Sequence, residues 1–138
     1  MPQLDLYHNT VRNALIKDGW TITHDPFLIQ YKGINLYADL AAEKAFAAER
    51  QGVKIAIEVK VFASPSLMTE LEKSMGQYII YRSFLMLEGA ERTLYLAITQ
   101  DIYQNFFLKP GIQDLVKLQD IKLLVFDPKN EEVVLWIS

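Results

Sequence analysis

Apolar residues recur at helical spacing in the first segment of the chain. Over Gln3–Lys17, Leu4, Tyr7, His8, Val11, Ala14 and Leu15 fall on one stripe, and Asp18-Gly19 supplies the stop. The period then shortens. Residues 20–24 and 27–31 read as extended pieces parted by Asp25-Pro26, and Lys32-Gly33 turns the chain into a further strand at 34–40, which gives the sheet an antiparallel beginning. The clearest alternation lies at 54–62, where Ile55, Ile57, Val59 and Val61 share one face while Ala56, Glu58, Lys60 and Phe62 share the other.

Ser64-Pro65-Ser66 opens a long helix to about Leu87, with Pro65 in its first turn, Glu70 and Glu72 near its positive end and Gly89 beyond its last turn. Met68, Leu71, Met75, Tyr78, Ile79, Arg82 and Leu85 form its inward stripe. Glu70, Ser74, Gln77 and Tyr81 run beside that stripe as a polar seam. Residues 94–99 are again strongly apolar, and a strand after a helix after a strand should lie parallel to the first. Two short helices at 100–108 and 112–118, separated by Lys109-Pro110-Gly111, and two strands at 121–126 and 132–137 around Asp127-Pro128-Lys129-Asn130 complete a mixed α/β order.

With 138 residues, 51% of them hydrophobic and 22% charged, the chain suits one compact domain over residues 1–138. Its net charge of −3 supplies no global basic field, so any contact with DNA must be local, metal-assisted or shared with a partner. The absence of cysteine removes disulfides, thiolate metal sites and a thiol nucleophile. There is no basic-then-apolar leader and no apolar run of the roughly 20 residues a membrane helix needs, so a soluble, cytoplasmic protein without membrane association is expected. His8 and His24 lie on separate elements with no triad-like Ser and Asp nearby, and no Gly-rich loop follows a strand. His8 at the edge of its stripe reads first as a boundary histidine and second as a residue facing a site.

Glu58-x-Lys60 has two readings: a salt bridge on a solvated sheet face, or an acid and a base in a recess, which their neighbours Ala56 and Phe62 favour. Asp39 near the end of the preceding strand adds a second carboxylate. In order, Asp39 and Glu58-x-Lys60 resemble the PD-(D/E)xK nuclease signature, with Ala38 where that signature often has Pro. The resemblance implies a single-domain restriction-endonuclease-like α/β fold, an αβββαβ core with a mixed central sheet. It also implies that Asp39 and Glu58, joined by the Val59 carbonyl and waters, hold Mg²⁺ or Mn²⁺ while Lys60 assists the attacking water. Gln77 and Tyr81, four residues apart, resemble the Q-x-x-x-Y adjunct of RecB-like members, whose side chains line the site.

That sharing constrains the fold. Were 36–50 one strand turning back at Gln51-Gly52, Asp39 would pair near residue 64, about 20 Å along from Glu58. Part of 40–50, which is helix-favouring in composition, is therefore expected to leave the ladder as a bulge, loop or short helix. Glu43 and Glu49 would then lie near or beyond the site, or serve as solvated surface charges.

Across nearly its whole length the chain also resembles the XisH proteins, named for the cyanobacterial excision controlling factor of the fdxN element. The resemblance rests on Lys17-Asp18-Gly19-Trp20-Thr21-Ile22-Thr23, Asp25-Pro26, Ala38-Asp39-Leu40-Ala41-Ala42-Glu43, Ile57-Glu58-Val59-Lys60 and Gly76-Gln77-Tyr78-x-x-Tyr81-Arg82. It implies a part in programmed DNA excision during heterocyst differentiation, with DNA, the companion factor XisI and a site-specific recombinase as partners, and a homo-oligomer by analogy. Two readings follow, a metal-dependent endodeoxyribonuclease or a non-catalytic DNA- or protein-binding factor on a nuclease-like fold.

Overall fold

The computed structural model describes residues 3–45 and 52–138, with side chains from residue 7 onward, so Leu4, Glu49 and Arg50 lie outside the described side chains. Helix α1 (Gln3–Lys17) has the expected bounds and buries Val11, Ala14 and Leu15. Strands β1 (Thr21–His24), β2 (Phe27–Tyr31), β3 (Ile34–Ala38), β4 (Leu40–Lys44) and β5 (Val53–Val59) follow, then α2 (Leu67–Leu87) and β6 (Thr93–Thr99). A short helix α3 (Gln100–Ile102) runs into a π turn (Tyr103–Phe107), and α4 (Pro110–Leu118), β7 (Leu123–Asp127) and β8 (Glu132–Ile137) close the chain.

Six strands form one mixed sheet in the order β1-β4-β5-β6-β7-β8, and β2 and β3 pair apart from it as a two-stranded ribbon. β5, β6 and β7 are mutually parallel, as the strand-helix-strand order requires, and β1, β4 and β8 run antiparallel to their neighbours. Helices cover both faces. Ile55, Ile57 and Val59 turn toward Val11 and Leu15 of α1, whereas Ala56 of β5 and Ala41 of β4 join Leu71, Tyr78 and Leu85 of α2. β5 is thus buried on both sides, and its polar exception, Glu58, points to the α2 side by the strand's alternation.

Three sequence expectations are corrected here. The strand expected at 34–40 is broken at Asp39: β3 pairs with β2 in the ribbon, and β4 leaves for the main sheet. Leu40–Lys44 is strand in spite of its helix-favouring composition, because pairing on both sides with β1 and β5 overrides intrinsic propensity. The continuous strand turning back at Gln51-Gly52 does not form: the ladder stops with Lys44 facing Val53, Ala45 is outside it as the expected departure of part of 40–50 requires, and with Leu40 facing Ile57 the register sets Asp39 opposite Glu58. Gly52 stands at that closure with φ +69°, and a Cβ there would lie 2.6 Å from the Lys44 carbonyl oxygen. The expected excursion therefore spares 40–44, and residues 46–51 lie outside the described part. Finally, β5 ends at Val59 and not at Phe62, whose φ is +55°, although the Lys60 N–H still donates to the Ala97 carbonyl.

Helix α2 begins one residue after its cap Ser66, whose hydroxyl accepts from the Thr69 N–H, so Pro65 lies outside the first turn. Of its expected inward stripe, Met68 is exposed, and Ser74 of the polar seam is buried instead. Tyr78 ties α2 to the sheet: its hydroxyl donates to the Leu94 carbonyl at 2.7 Å and accepts from the Lys122 N–H at 3.1 Å. Tyr78→Phe leaves both main-chain groups without that partner in a buried place, and a loss of about 1–3 kcal/mol is expected in urea unfolding. An unchanged midpoint and slope would show the bridge to be dispensable.

Candidate functional site

Because Leu40 faces Ile57, the next pair out along β4 and β5 is Asp39 and Glu58. The break between β3 and β4 frees the Asp39 main chain from the ribbon ladder and turns it toward β5. There the two acids clasp each other's strand: the Asp39 N–H donates to Glu58 Oε1 at 3.2 Å, and the Val59 N–H donates to Asp39 Oδ2 at 2.7 Å. Lys60 Nζ stands 3.5 Å from Glu58 Oε2. Glu58 is only 5% exposed, which settles the two readings of Glu58-x-Lys60 in favour of the recess.

Burial pushes the Glu58 carboxyl up from its ordinary 4.5 to about 8, and the neighbouring Asp39 charge adds to the rise. Lys60 pulls the other way and is outweighed.

Gln77 and Tyr81 of α2 line the same recess. The Gln77 amide donates to the Tyr81 hydroxyl at 3.1 Å. Partial burial raises the Tyr81 pKa, the Gln77 bond lowers it, and the charges of Glu58 and Asp39 raise it further, which sets the phenol beside the acids. The sequence-selected residues Asp39, Glu58, Lys60, Gln77 and Tyr81 are therefore brought together, and Val59 takes part through its main-chain N–H. Glu43 is not among them: it lies four residues along β4 from Asp39, about 13 Å at strand rise, opposite Lys54.

Three residues at the edge of this site were not selected for it from the sequence. His8 on α1 places Nε2 2.6 Å from Asp25 Oδ1 and Nδ1 3.9 Å from Asp39 Oδ1, and Arg12, one turn on, donates to Asp25 Oδ2 at 2.7 Å. The placement of His8 beside its apolar stripe was the available signal. Asp25 gave none beyond its turn-forming place before Pro26, because the partner that defines it comes from another element.

The donors suit a hard divalent cation. Two carboxylates face one recess, and a cation there would favour the charged form that burial disfavours in Glu58. Among the described residues no three His, Asp or Glu side chains form a metal-holding group, so a main-chain carbonyl and water would have to complete the shell. A cavity of about 420 Å³ lies elsewhere, at the other end of β5, walled by Trp20, Tyr95 and Trp136 with Asp18 and Lys44. It lacks the paired acids of the recess, and its Lys44 ammonium is engaged with the Asp18 carbonyl.

The family profile described as XisH protein matches residues 1–134. The chain belongs to the XisH family. This XisH chain is 38% identical to an XisH family protein from Nostoc punctiforme PCC 73102, whose crystal structure superposes with a TM-score of 0.87 over 97% of this chain and 100% of that one. It is 39% identical to a fdxN element excision controlling factor protein from Anabaena variabilis, with a TM-score of 0.86 over 97% of this chain and 99% of that one. No curated protein matches it. The fold of the XisH chain, one α/β domain with a six-stranded mixed sheet, is therefore that of its family. Among its described residues no helix is long and apolar enough to cross a membrane.

Proposed function

We propose that this XisH chain is an excision controlling factor of the fdxN-element type that acts as a metal-dependent DNA endonuclease. Its substrate is DNA and its cation Mg²⁺ or Mn²⁺; XisI and a site-specific recombinase are its companions. The observation that carries the reading is the reciprocal clasp of Asp39 and Glu58 beside Lys60 in one recess. The order helix, three antiparallel main-sheet strands, helix, parallel strand supports a restriction-endonuclease-like core, with the β2–β3 ribbon as an insertion at its second strand.

Asp39 and Glu58, with the Val59 carbonyl, would hold the cation. When bound, it polarises a phosphate oxygen and lowers the pKa of an attacking water. Lys60, whose Nζ stands 3.5 Å from Glu58 Oε2, would orient the water and offset charge on the phosphate. Gln77 and Tyr81 present an amide and a phenol to the same space, where they position a phosphate oxygen or the water by hydrogen bonds. His8, held by Asp25, stands at the open side of Asp39 and steadies its free oxygen.

A metal that binds the folded protein alone raises its melting temperature. With about 10 mM Mg²⁺ and millimolar affinity, stabilisation of about 1.4 kcal/mol is expected, a rise of a few degrees in scanning fluorimetry. The rise should vanish in Asp39→Ala and in Glu58→Ala. A wild type that shows no shift with either Mg²⁺ or Mn²⁺ would end the metal reading. The second reading, a non-catalytic factor that binds DNA or a protein on the same fold, is favoured by the net charge of −3 and predicts that flat response.

A further inference from the structure

The parallel strands β6 and β7 begin at the end of the sheet remote from the paired acids, and three basic side chains meet there around a cavity of about 180 Å³. Arg82 comes from the last turns of α2, Arg92 from the residue before β6 and Lys122 from the residue before β7. Thr93 in the cavity wall is four residues along β6 from Ala97, whose carbonyl takes the Lys60 N–H, about 13 Å at strand rise. The cavity is thus separate from the recess, and no carboxylate is among its walls.

Two of the three cations are fixed in place without being neutralised. Arg92 lies over the Phe27 ring, 4.8 Å from its centroid, and its Nη1 donates to the Ile55 carbonyl at 3.2 Å and, longer, to that of Ala42 at 3.5 Å. Arg82 lies over the Tyr78 ring at 5.3 Å, and its Nη1 donates to the Gln119 and Asp120 carbonyls at 2.8 and 2.9 Å. Each guanidinium therefore commits one nitrogen to the fold. Among the described residues Nη2 and Nε of both have no hydrogen-bond partner, and since no buried side-chain nitrogen there lacks one, these nitrogens are open to solvent. Neither arginine pairs with a carboxylate among the described residues. The acids around the cavity are otherwise disposed: Asp120 stands 3.4 Å from Lys122 Nζ, Glu88 accepts from the Gln30 N–H, Glu43 faces Lys54 across β4 and β5, and Glu91 is exposed. Burial draws the Arg92 guanidinium below its usual range, and the charge of Glu43 offsets this only in part.

We propose that this cavity binds a phosphate dianion, free or as the ester of a small molecule. Three cations against one engaged acid, Asp120, leave two positive charges for the ligand. Donors converge from α2, β6 and β7, which suits a tetrahedral oxyanion, whereas one guanidinium fork would satisfy a planar carboxylate. Both guanidinium groups are already held, so little side-chain freedom is lost on binding. The volume is below the roughly 300–1,000 Å³ of sites for drug-sized ligands, so a phosphate and a short stem fill it. Leu85 and Met86 give that stem an apolar wall.

The test is calorimetric titration with inorganic phosphate and with glycerol phosphate, in mildly alkaline buffer at one ionic strength held with NaCl and without divalent cations. Variants are compared once their circular dichroism and melting temperature match the wild type. One saturable site per chain is expected. Lys122→Gln, which removes no bond to the main chain, should weaken binding about tenfold, and Arg92→Lys, which keeps the charge and loses the fork, by a similar factor. Lys129→Gln, the same change of charge on the exposed β7–β8 turn, should leave the affinity unchanged. Tighter binding of the ester assigns the cavity to a small phosphorylated molecule, and equal affinities assign it to the phosphate group alone. A wild type that takes up no phosphate overturns the proposal, as does unchanged affinity in Lys122→Gln. Equal weakening in Lys129→Gln would reduce the effect to net charge, and binding lost in Lys60→Ala but kept in Lys122→Gln would move the phosphate to the recess; each overturns it. Displacement of bound phosphate by an unphosphorylated duplex oligonucleotide overturns it too, because the cations would then belong to a DNA surface.

Discussion

Alanine in place of Glu58 is expected to lower Mg²⁺-dependent cleavage of DNA by about a thousandfold or more, and alanine in place of Lys60 by about a hundred- to a thousandfold. Loss of the Glu58 carboxylate removes one of two charged ligands and leaves Asp39 without the group that receives its N–H. A cation whose effect is worth several kcal/mol, at about 1.4 kcal/mol per factor of ten, then contributes little. Lys60→Ala spares the ligands but takes the cation nearest Glu58 out of the recess. Removing one group that stabilises developing charge lowers rates by about a hundred- to a thousandfold. The assay compares wild type and both variants on labelled single-stranded, duplex and branched DNA with Mg²⁺ or Mn²⁺. Cleavage lost in both variants would establish the enzyme. Equal inertness of all three proteins, with the companion factor absent and present, would leave a binding factor on a nuclease-like fold.

The second large effect is on stability. Glu58 binds its proton more tightly in the folded chain, near pH 8, than in the unfolded one, near 4.5. Its contribution is therefore fully present below about pH 4.5 and is lost as pH rises through about 8, where folding must bury a charge. Glu58→Gln keeps a neutral group of the same shape that still accepts from the Asp39 N–H. Without metal, the variant should match the wild type near pH 5 and exceed it increasingly toward pH 8. The shift sets a ceiling of about 5 kcal/mol, and because the charges of Asp39 and Lys60 both act on the group an effect on the order of 2 kcal/mol is expected, several degrees in melting temperature. Saturating Mg²⁺ should narrow the gap, since it stabilises only the wild type. Parallel pH profiles for the two proteins would show that Glu58 is not the buried acid described here.

Elements whose signal is local were legible in the sequence. The stripe of α1 and its Asp18-Gly19 stop gave that helix its bounds, and the apolar alternation of 54–62 gave β5 and the face that bears Glu58. The strand-helix-strand order gave the parallel pairing of β5 with β6. What escaped was pairing. From 34 to 44 the chain is extended on either side of Asp39, and no residue there records that one half joins β2 and the other β5. Asp39 and Glu58 could be selected by type and order, and their sharing of a site required part of 40–50 to leave the ladder, but where the ladder stops, at Lys44 and Val53, is set by pairing that no local signal records. His8 and Asp25 escaped for the same reason, because each gains its meaning from a contact with another element.

The clasp between Asp39 and Glu58 also fixes when the site comes into being as the chain folds. The two residues stand 19 apart in sequence and meet when β4 and β5 pair in the correct register, whereas Gln77 and Tyr81 join them only when α2 docks on the sheet. Contacts of this kind form after loop closure has been paid for, and so tend to follow helix formation. A nascent or partly folded chain thus carries the acids without the chemistry. The full set of Asp39, Glu58, Lys60, Gln77 and Tyr81 exists only once the β4–β5 pair has docked against α2.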